Sequence, residues 1–542
     1  MGKGIVKLGE GNWAVKDGNL LAAKETNGRF KNTEFTVTRG TDATYVGKDG
    51  FIKTTPSFYN LLLRSENFSP YTIASSIATP NSTTAPDGTN AGTLVTAGTN
   101  AIALRFSQVV ETGKTYTFSC YVKSSGSDMT TVYLDIADEA PQAAFTLTND
   151  WQRVSTTATV TKTPQSTYHF VDVSTNGSQG DTFYIWGAQV VEGTEALDYQ
   201  YTNGKEGMPR IDFTDNTDGH LLLEPESRNL VPYSNEISLS TGSTVSGTGS
   251  STAVTDNYAI SPDGTQNAAR LVATSATGTG KYALRDFILS TSSVKSYTQS
   301  TYLKSNTGSD QKVSYYGRDT GVRGFITVTS EWQRFELSGN SNTTNYYVYL
   351  GARPEDGTDT SCDILVYGYQ LEQLGYATSL IPTNGSQVTR DAETCTGAGS
   401  SADFNSEEGV LYLEVAALAD DTSQQIGVYG GSITEQLRIE IANSVIKAQL
   451  FNGSYQANMS STQTVTNFNK VGFKWKVNDF ALWINGTEVV TDNSGTTFSA
   501  ATLDNINFSA QNGTSSAAQA KVKALKVYKE TDGIDLATLT SL

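Results

Sequence analysis

Three pairs of positions in this chain stand at one separation. Tyr116 in YTFSCYVKSSG and Tyr297 in YTQSTYLKSNTG, Trp151 in NDWQRVST and Trp332 in SEWQRFEL, and Gly187 in IWGAQV and Gly368 in VYGYQL are each 181 residues apart. One offset held over three anchors means two homologous modules with little net insertion between the anchors. Upstream, NLLLRSENFS at Asn60 pairs with NLVPYSNEIS at Asn229, and APDGTNAGTLV at Ala85 with SPDGTQNAARLV at Ser261, at offsets of 169 and 176. Loops early in the module therefore differ in length, as surface loops tolerate. Each copy spans about 140–160 residues, far more than the roughly 20–50 of a solenoid unit, so these are two domains in tandem.

Within each copy the residues alternate. In Tyr116-Thr-Phe-Ser-Cys-Tyr-Val-Lys, the apolar Tyr116, Phe118, Cys120 and Val122 fall on one face and Thr117, Ser119, Tyr121 and Lys123 on the other. That is the period of a half-buried strand. Such runs are separated by Gly, Asn, Ser and Asp turns, with no convincing amphipathic helix between them. The expected class is all-β, with tandem β-sandwich modules of jelly-roll type. The repeated Pro-Asp-Gly, with Asp87 and Asp263, reads as a turn.

From about Phe404 the register is different. Val471, Phe473, Trp475 and Val477 alternate with Gly472, Lys474 and Lys476, a turn follows at Asn478-Asp479, and the strand Phe480-Ala-Leu-Trp-Ile comes next. Asn485-Gly486 supplies a two-residue hairpin turn, since both residues tolerate positive φ. Glu488-Val-Val returns, which completes a three-stranded meander. KVKALKVYKE from Lys521 carries lysines of the kind that blunt an exposed sheet edge. This is a third all-β domain.

Charge and composition restrict function. A formal net charge of -17 repels phosphate backbones, so nucleic acid is not expected as a partner. Residues 1–55 carry nine Lys/Arg against six Asp/Glu, a mildly basic head that suits docking on an acidic partner or is ordinary surface scatter. Cys120, Cys362 and Cys395 are odd in number and lack CxxC spacing, so neither a disulfide framework nor a zinc site is expected. The N-terminus MGKGIVKLGEGNW has no apolar signal region, and no 18-residue apolar run occurs, so neither signal-directed export nor membrane insertion is expected.

Several strings resemble phage virion proteins. TRGTDATYVGKDGFI (38–52) and MPRIDFTDNTDGHLLLEPESRNLVPYS (208–234) are similar to the connector of fibre and other appendage proteins of tailed phages, particularly phages of Bacteroidetes hosts. YGYQLEQLGYATSLIPTNGSQVTRDAE (367–393) resembles the end of their carbohydrate-binding-module-like sandwich. SEEGVLYLEVAAL (406–418) with FNKVGFKWKVNDFALWINGTEVV (468–490) resembles their concanavalin/laminin-G-like terminal domain. In the first module WGAQVVEGTEALDYQYTNG (186–204) departs from this pattern by lacking the Ile-Pro-Thr tail, which puts a ligand shared by the two modules in doubt.

The resemblance implies a division into an N-terminal virion-anchoring segment (1–58), β-sandwich module 1 (59–205), a connector (206–226), module 2 (227–386), a linker (387–403) and a concanavalin/laminin-G-like sandwich (404–542). It implies a structural virion protein, a tail or head fibre forming a homotrimer, attached to other virion proteins through its N-terminal segment. Localisation on the virion surface after assembly in the host cytoplasm follows from the same resemblance, as does host-surface glycan as a partner. The alternatives are a decoration protein without glycan affinity and a polysaccharide depolymerase.

A sugar site needs an aromatic face against the apolar side of a pyranose, with amides or carboxylates for its hydroxyls. Tyr184 and Trp186 share one face of a strand whose other face carries Phe183 and Ile185. One face fills the core, and the other is left for a ligand or a subunit interface. Their counterparts in module 2 are Leu365 and Tyr367. Tyr347 and Tyr349 in Asn345-Tyr-Tyr-Val-Tyr suit a glycan or a trimer interface equally well. Trp483 and Asn485 flank the hairpin turn, where packing and turn geometry account for them as readily. Trp151 and Trp332 are read as core or rim residues covered by the arginine stems, because the tripeptide keeps its identity and spacing in both copies.

Catalytic motifs are missing. His169 and His220 are the two histidines and neither lies in a recognisable motif, and there is no P-loop, HExxH or Glu-x-Asp-x-Glu string. The chain is expected not to be an enzyme. No cofactor is expected, although sandwich modules of this kind often carry a structural calcium ion. No DxDxDG loop occurs here, and no residue is assigned as a metal ligand.

Overall fold

The strand Thr115–Ser124 buries Tyr116, Phe118, Cys120 and Val122 against the core, as a two-residue period requires. Its neighbours build the first sandwich. The structure, a computed structural model, describes residues 5–542 apart from 17–18, 27–28, 56–59, 63, 73–74, 100–101, 107–109, 111, 138–142, 162–170, 198, 200–201, 203–207, 215–216, 241, 291–294, 318–323, 341–344, 422 and 511–515.

In module 1 a five-stranded sheet runs in the order Gln152–Thr159, Thr115–Ser124, Thr182–Glu192, Gly92–Thr96, Ile77–Thr83. A four-stranded sheet, Ala143–Thr146, Thr131–Ile136, Val171–Thr175, Ile102–Phe106, closes on it over a core that includes Phe106, Phe118, Val173 and Ile185. Module 2 repeats the arrangement, with Gln333–Asn340, Ser296–Ser305, Ser361–Glu372, Gln266–Thr274 and Ser251–Ile260 in the same order. Its second sheet runs Gly242–Ser246, Tyr282–Ser290, Asn345–Ala352, Gln311–Gly317, Phe325–Val328.

The third anchor of the repeat has a backbone cause. The pairing of Thr115–Ser124 with Thr182–Glu192 slips between Ser119 and Tyr121, and that of Ser296–Ser305 with Ser361–Glu372 slips between Ser300 and Tyr302. Opposite each slip stands a glycine in the left-handed region, Gly187 at φ 60° and Gly368 at φ 62°. A β-bulge at this place calls for a residue that bears positive φ without strain.

In the terminal sandwich the expected meander is present as Asn469–Lys476, Phe480–Ile484 and Thr487–Asp492. Val471, Phe473 and Trp475 are buried, whereas Val477 lies past the strand end and is exposed. Asn485 and Gly486 turn the hairpin with φ of 51° and 83°. The opposing five-stranded sheet runs Tyr455–Thr462, Val445–Asn452, Glu435–Ala442, Gln424–Gly430, Leu503–Asn507.

Two expectations need correction here. The lysine-bearing strand Ala520–Tyr528 is not an edge, because Glu408–Ala417 pairs along one side while Ile5–Gly9 and His220–Leu223 pair along the other. The segment set apart as residues 1–58 is not separate from the terminal sandwich either. Ile5–Gly9 and Arg29–Thr38 are strands of its large sheet, and Val6, Leu8, Leu20, Phe35 and Val37 belong to its core. The physical reason is alternation: Val6 and Leu8 share an apolar face that packs into this core, with Leu8 opposite Leu525.

By contacts the chain forms two compact units. One holds Pro56–Met208 with Val15–Asn19, and the other holds the rest. Described helices are confined to single turns such as Ile237–Ser240 and Leu536–Leu539, and none is long and apolar enough to cross a membrane.

Candidate functional site

The repeated Trp-Gln-Arg builds the same clamp twice. Arg153 lies over the ring of Tyr121 at 5.7 Å and donates to the Ser119 hydroxyl at 3.2 Å and to the Leu197 carbonyl. Arg334 lies over Tyr302 at 5.5 Å and donates to the Ser300 hydroxyl at 2.9 Å and to the Thr378 carbonyl at 2.6 Å. Each of these partners is displaced by 181, so the arginine fastens the chain that crosses the outer face of its sheet.

Beside that clamp the two tryptophans part company. In module 1 the Trp151 indole N–H donates to the Thr84 carbonyl at 2.9 Å, and its ring stands 6.5 Å from that of Tyr184. The Lys123 ammonium lies over both, at 5.5 Å and 5.4 Å. Both rings are half-buried, so this face presents two aromatic rings and a cation.

In module 2 the hairpin of Ala43–Val46 and Ile52–Thr55 covers part of the corresponding face. Ile52 packs with Ala268, Tyr367 and Leu380, and its N–H donates to the Pro262 carbonyl at 2.9 Å. A cavity of about 450 Å³ remains next to it, bordered by Tyr45, Tyr302, Trp332, Asp212, Glu336 and Lys521. Both carboxylate oxygens of Asp212 accept backbone N–H groups, from Val46 and Thr214, each at 2.8 Å. His220, wholly buried, places Nε2 3.9 Å from Asp212.

Below this cavity the connector strings meet in a buried ionic knot. Arg39 donates to Glu393 at 2.6 Å, Arg210 to Glu393 at 2.8 Å, and both Arg210, at 2.8 Å, and Arg390, at 2.7 Å, reach Glu224. Glu372 joins through Thr378, whose hydroxyl donates to it and accepts from Arg390 at 3.1 Å. Three arginines thus balance three glutamates. Burial pushes the Glu224 carboxyl up, but the charges of Arg390 and Arg210 and two Ser379 hydrogen bonds outweigh it and hold it at about 2. Glu393 is likewise held below the usual carboxylate range against the upward push of burial, by Arg210 and Arg39. The TRG stretch of the 38–52 string, the PRID and LEPES stretches of the 208–234 string and the TRDAE end of the 367–393 string each contribute a member.

The residues singled out by sequence are distributed as follows. Trp186 is buried between Tyr199, at 4.6 Å, and Tyr121, at 5.3 Å, so its ring offers no face to a ligand. Tyr367 is buried under the hairpin and donates its hydroxyl to Asp263 at 3.0 Å. Asn485 is committed to its turn, accepting from Lys470 N–H at 2.9 Å and donating to Asn469 at 3.0 Å, while Trp483 lies half-buried across from Gly472. Tyr347 and Tyr349 do face outward on the second sheet of module 2, with Tyr349 stacked on Tyr316 at 5.0 Å, and the Tyr316 hydroxyl accepts from Arg353 at 3.2 Å. Tyr184 shares its face with a second half-buried aromatic, Trp151, and with the Lys123 ammonium.

Asp87 and Asp263 cap turns, each accepting from the backbone N–H two residues on, at 2.9 Å from Thr89 and 2.7 Å from Thr265. Among the described residues no group of three or more His, Cys, Asp or Glu is placed to hold a metal ion. His169 lies outside the described residues. Sequence reasoning missed Tyr45, Asp212 and Glu336 at the cavity, since nothing local says that residues 44–46, 212 and 336 meet. The one available signal was that Trp332 sits in a repeat whose surroundings had diverged.

No curated protein matches the sequence. Among solved structures, the tandem CBM22-1–CBM22-2 domains of Xyn10C from Paenibacillus barcinonensis align at 13% identity, covering 59% of this chain and 100% of that one, with a TM-score of 0.20. Domains LG4-5 of the mouse laminin alpha1 chain align at 12% identity, covering 44% and 84%, with a TM-score of 0.17. At such scores neither likeness carries an argument. Residues 63–177, most of module 1 and the part that bears Trp151 and Lys123, match the model of a carbohydrate-binding domain family.

Proposed function

We propose that this protein is a structural and adhesive component of a phage virion, a fibre-type appendage on tail or head that holds host-surface glycan. The observation that carries the adhesive part is the Trp151–Tyr184–Lys123 face on a module matching a carbohydrate-binding family. Aromatic rings stack on the apolar side of a pyranose, and the ammonium donates to ring hydroxyls or pairs with a sugar carboxylate. The virion part rests on the resemblance of the connector and terminal strings. On this reading the protein is trimeric and not catalytic, and several weak sugar contacts on one particle sum to high avidity.

Glycan-array binding by the full chain, with Tyr184→Ala and Trp151→Ala beside it, tests the adhesive reading. Loss of signal in both variants is expected, and undiminished binding in both would remove this face as the site. Release of reducing ends from host capsule would replace adhesion by depolymerisation. Light scattering tests the fibre reading, for which a trimer is expected and a clean monomer counts against it.

A further inference from the structure

The duplication left module 2 with the same clamp but a different outer face, and the cavity there belongs to no segment matched by the carbohydrate-binding family. Its walls combine two kinds of chemistry. Tyr45, Tyr302 and Trp332 supply aromatic surface, while Asp212, Glu336 and Lys521 supply acceptors and a donor. The volume of about 450 Å³ falls within the roughly 300–1,000 Å³ of small-molecule sites.

The walls are also fixed in advance. Asp212 is pinned by the two backbone N–H groups it accepts, at 2.8 Å each, so its oxygens keep their positions whether or not a ligand is present. Arg334 holds Tyr302 from above at 5.5 Å and ties down Thr378, which also borders the space. Glu336 is the adaptable member, with its carboxylate 3.7 Å from Arg334 and its side chain 47% exposed. Such preorganisation lowers the entropic cost of binding a small polar ligand. Three carboxylates, Asp212, Glu224 and Glu336, line the space against the two cations Arg334 and Lys521, so a wholly apolar ligand would desolvate charged walls and an anion is disfavoured.

We infer that the cavity between the 43–55 hairpin and the Trp332 strand is a second saccharide site, taking a single neutral, pyranose-sized sugar residue with one face on the aromatic side and its hydroxyls on Asp212 and Glu336. The ligand class rests on the glycan-binding reading above, but the site is independent of the module 1 face. The two sites differ in charge preference: module 1 offers a cation, and the module 2 cavity is lined by three carboxylates against two cations.

The test is 19F NMR of the full chain labelled with 5-fluorotryptophan and titrated separately with galactose, N-acetylglucosamine and N-acetylneuraminic acid. The Trp332 and Trp151 resonances are assigned by their loss in Trp332→Phe and Trp151→Phe. Saturable movement of the Trp332 resonance with a neutral sugar is expected, weakened at least about tenfold by Ala377→Phe, which fills the cavity from a half-exposed position without removing a hydrogen bond. A Trp332 resonance that stays still while that of Trp151 moves overturns this site and leaves the proposed function standing. If neither moves with any of the three sugars, both fall. Movement of Trp332 undiminished in Ala377→Phe, or driven by N-acetylneuraminic acid alone, also overturns the assignment.

Discussion

Arg39 and Glu393 stand 354 positions apart in sequence and meet at 2.6 Å with neither side chain exposed. Removing one partner of such a pair strands a buried charge, which typically costs about 3–5 kcal/mol, whereas the intact pair itself adds little over an apolar replacement. Arg39→Ala is therefore expected to destabilise the larger compact unit by about that amount. Denaturant unfolding followed by tryptophan fluorescence checks this, and a loss below about 1 kcal/mol would show that water reaches the knot.

The same knot sets an acid limit. Glu224 and Glu393 have folded-state values below the ordinary carboxylate value of 4.5, so the stability they contribute is fully present above about pH 4.5 and drains away as pH falls towards the Glu224 value of about 2. Thermal unfolding measured from pH 6 down to pH 2 is expected to show the transition of the larger unit falling steeply below about pH 4.5. A transition that held its temperature through this window would mean that the two glutamates take no part.

Leu8 lies in the core of the terminal sandwich opposite Leu525 and is 1% exposed. Leu8→Ala should lower the stability of that sandwich by about 2–5 kcal/mol through the cavity it leaves. Hydrogen exchange of the Ala520–Tyr528 amides reads this directly. If residues 5–38 were a detachable segment, exchange in that strand would not change.

Arg153 and Arg334 make equivalent bonds in modules that belong to different compact units. Arg153→Met and Arg334→Met are each expected to cost about 1.5–3 kcal/mol, the worth of a charge-assisted hydrogen bond, and each in its own unfolding transition. A large loss in one module and none in the other would argue that one copy of the tripeptide has been turned to ligand binding.

The fold was legible in the sequence wherever the information is local. Alternation at Tyr116–Val122 and at Val471–Trp475 revealed strands and their buried faces, and Asn485-Gly486 marked a hairpin because two consecutive positive φ values suit few other residues. The 181-residue offset defined two modules without any coordinates, and its glycine proved to be the bulge residue of each. The candidate site was less legible. Tyr184 shares its face with Trp151, whereas Trp186 is covered, because alternation tells which residues share a face and not what else covers that face. Asp212 and Tyr45 gave no signal at all.

What the sequence determined by itself is the set of elements: short strands, two related sandwiches and a third sandwich of different register. Tertiary structure decided which strands became neighbours and which aromatic faces stayed open. Ala520–Tyr528 reads as an edge until Ile5–Gly9 pairs with it from more than five hundred residues away, and Trp332 reads like Trp151 until the hairpin at Ile52 packs beside it. Period and propensity act over a few residues, whereas the pairing of strands and the covering of faces depend on apolar area and charge brought together from distant parts of the chain.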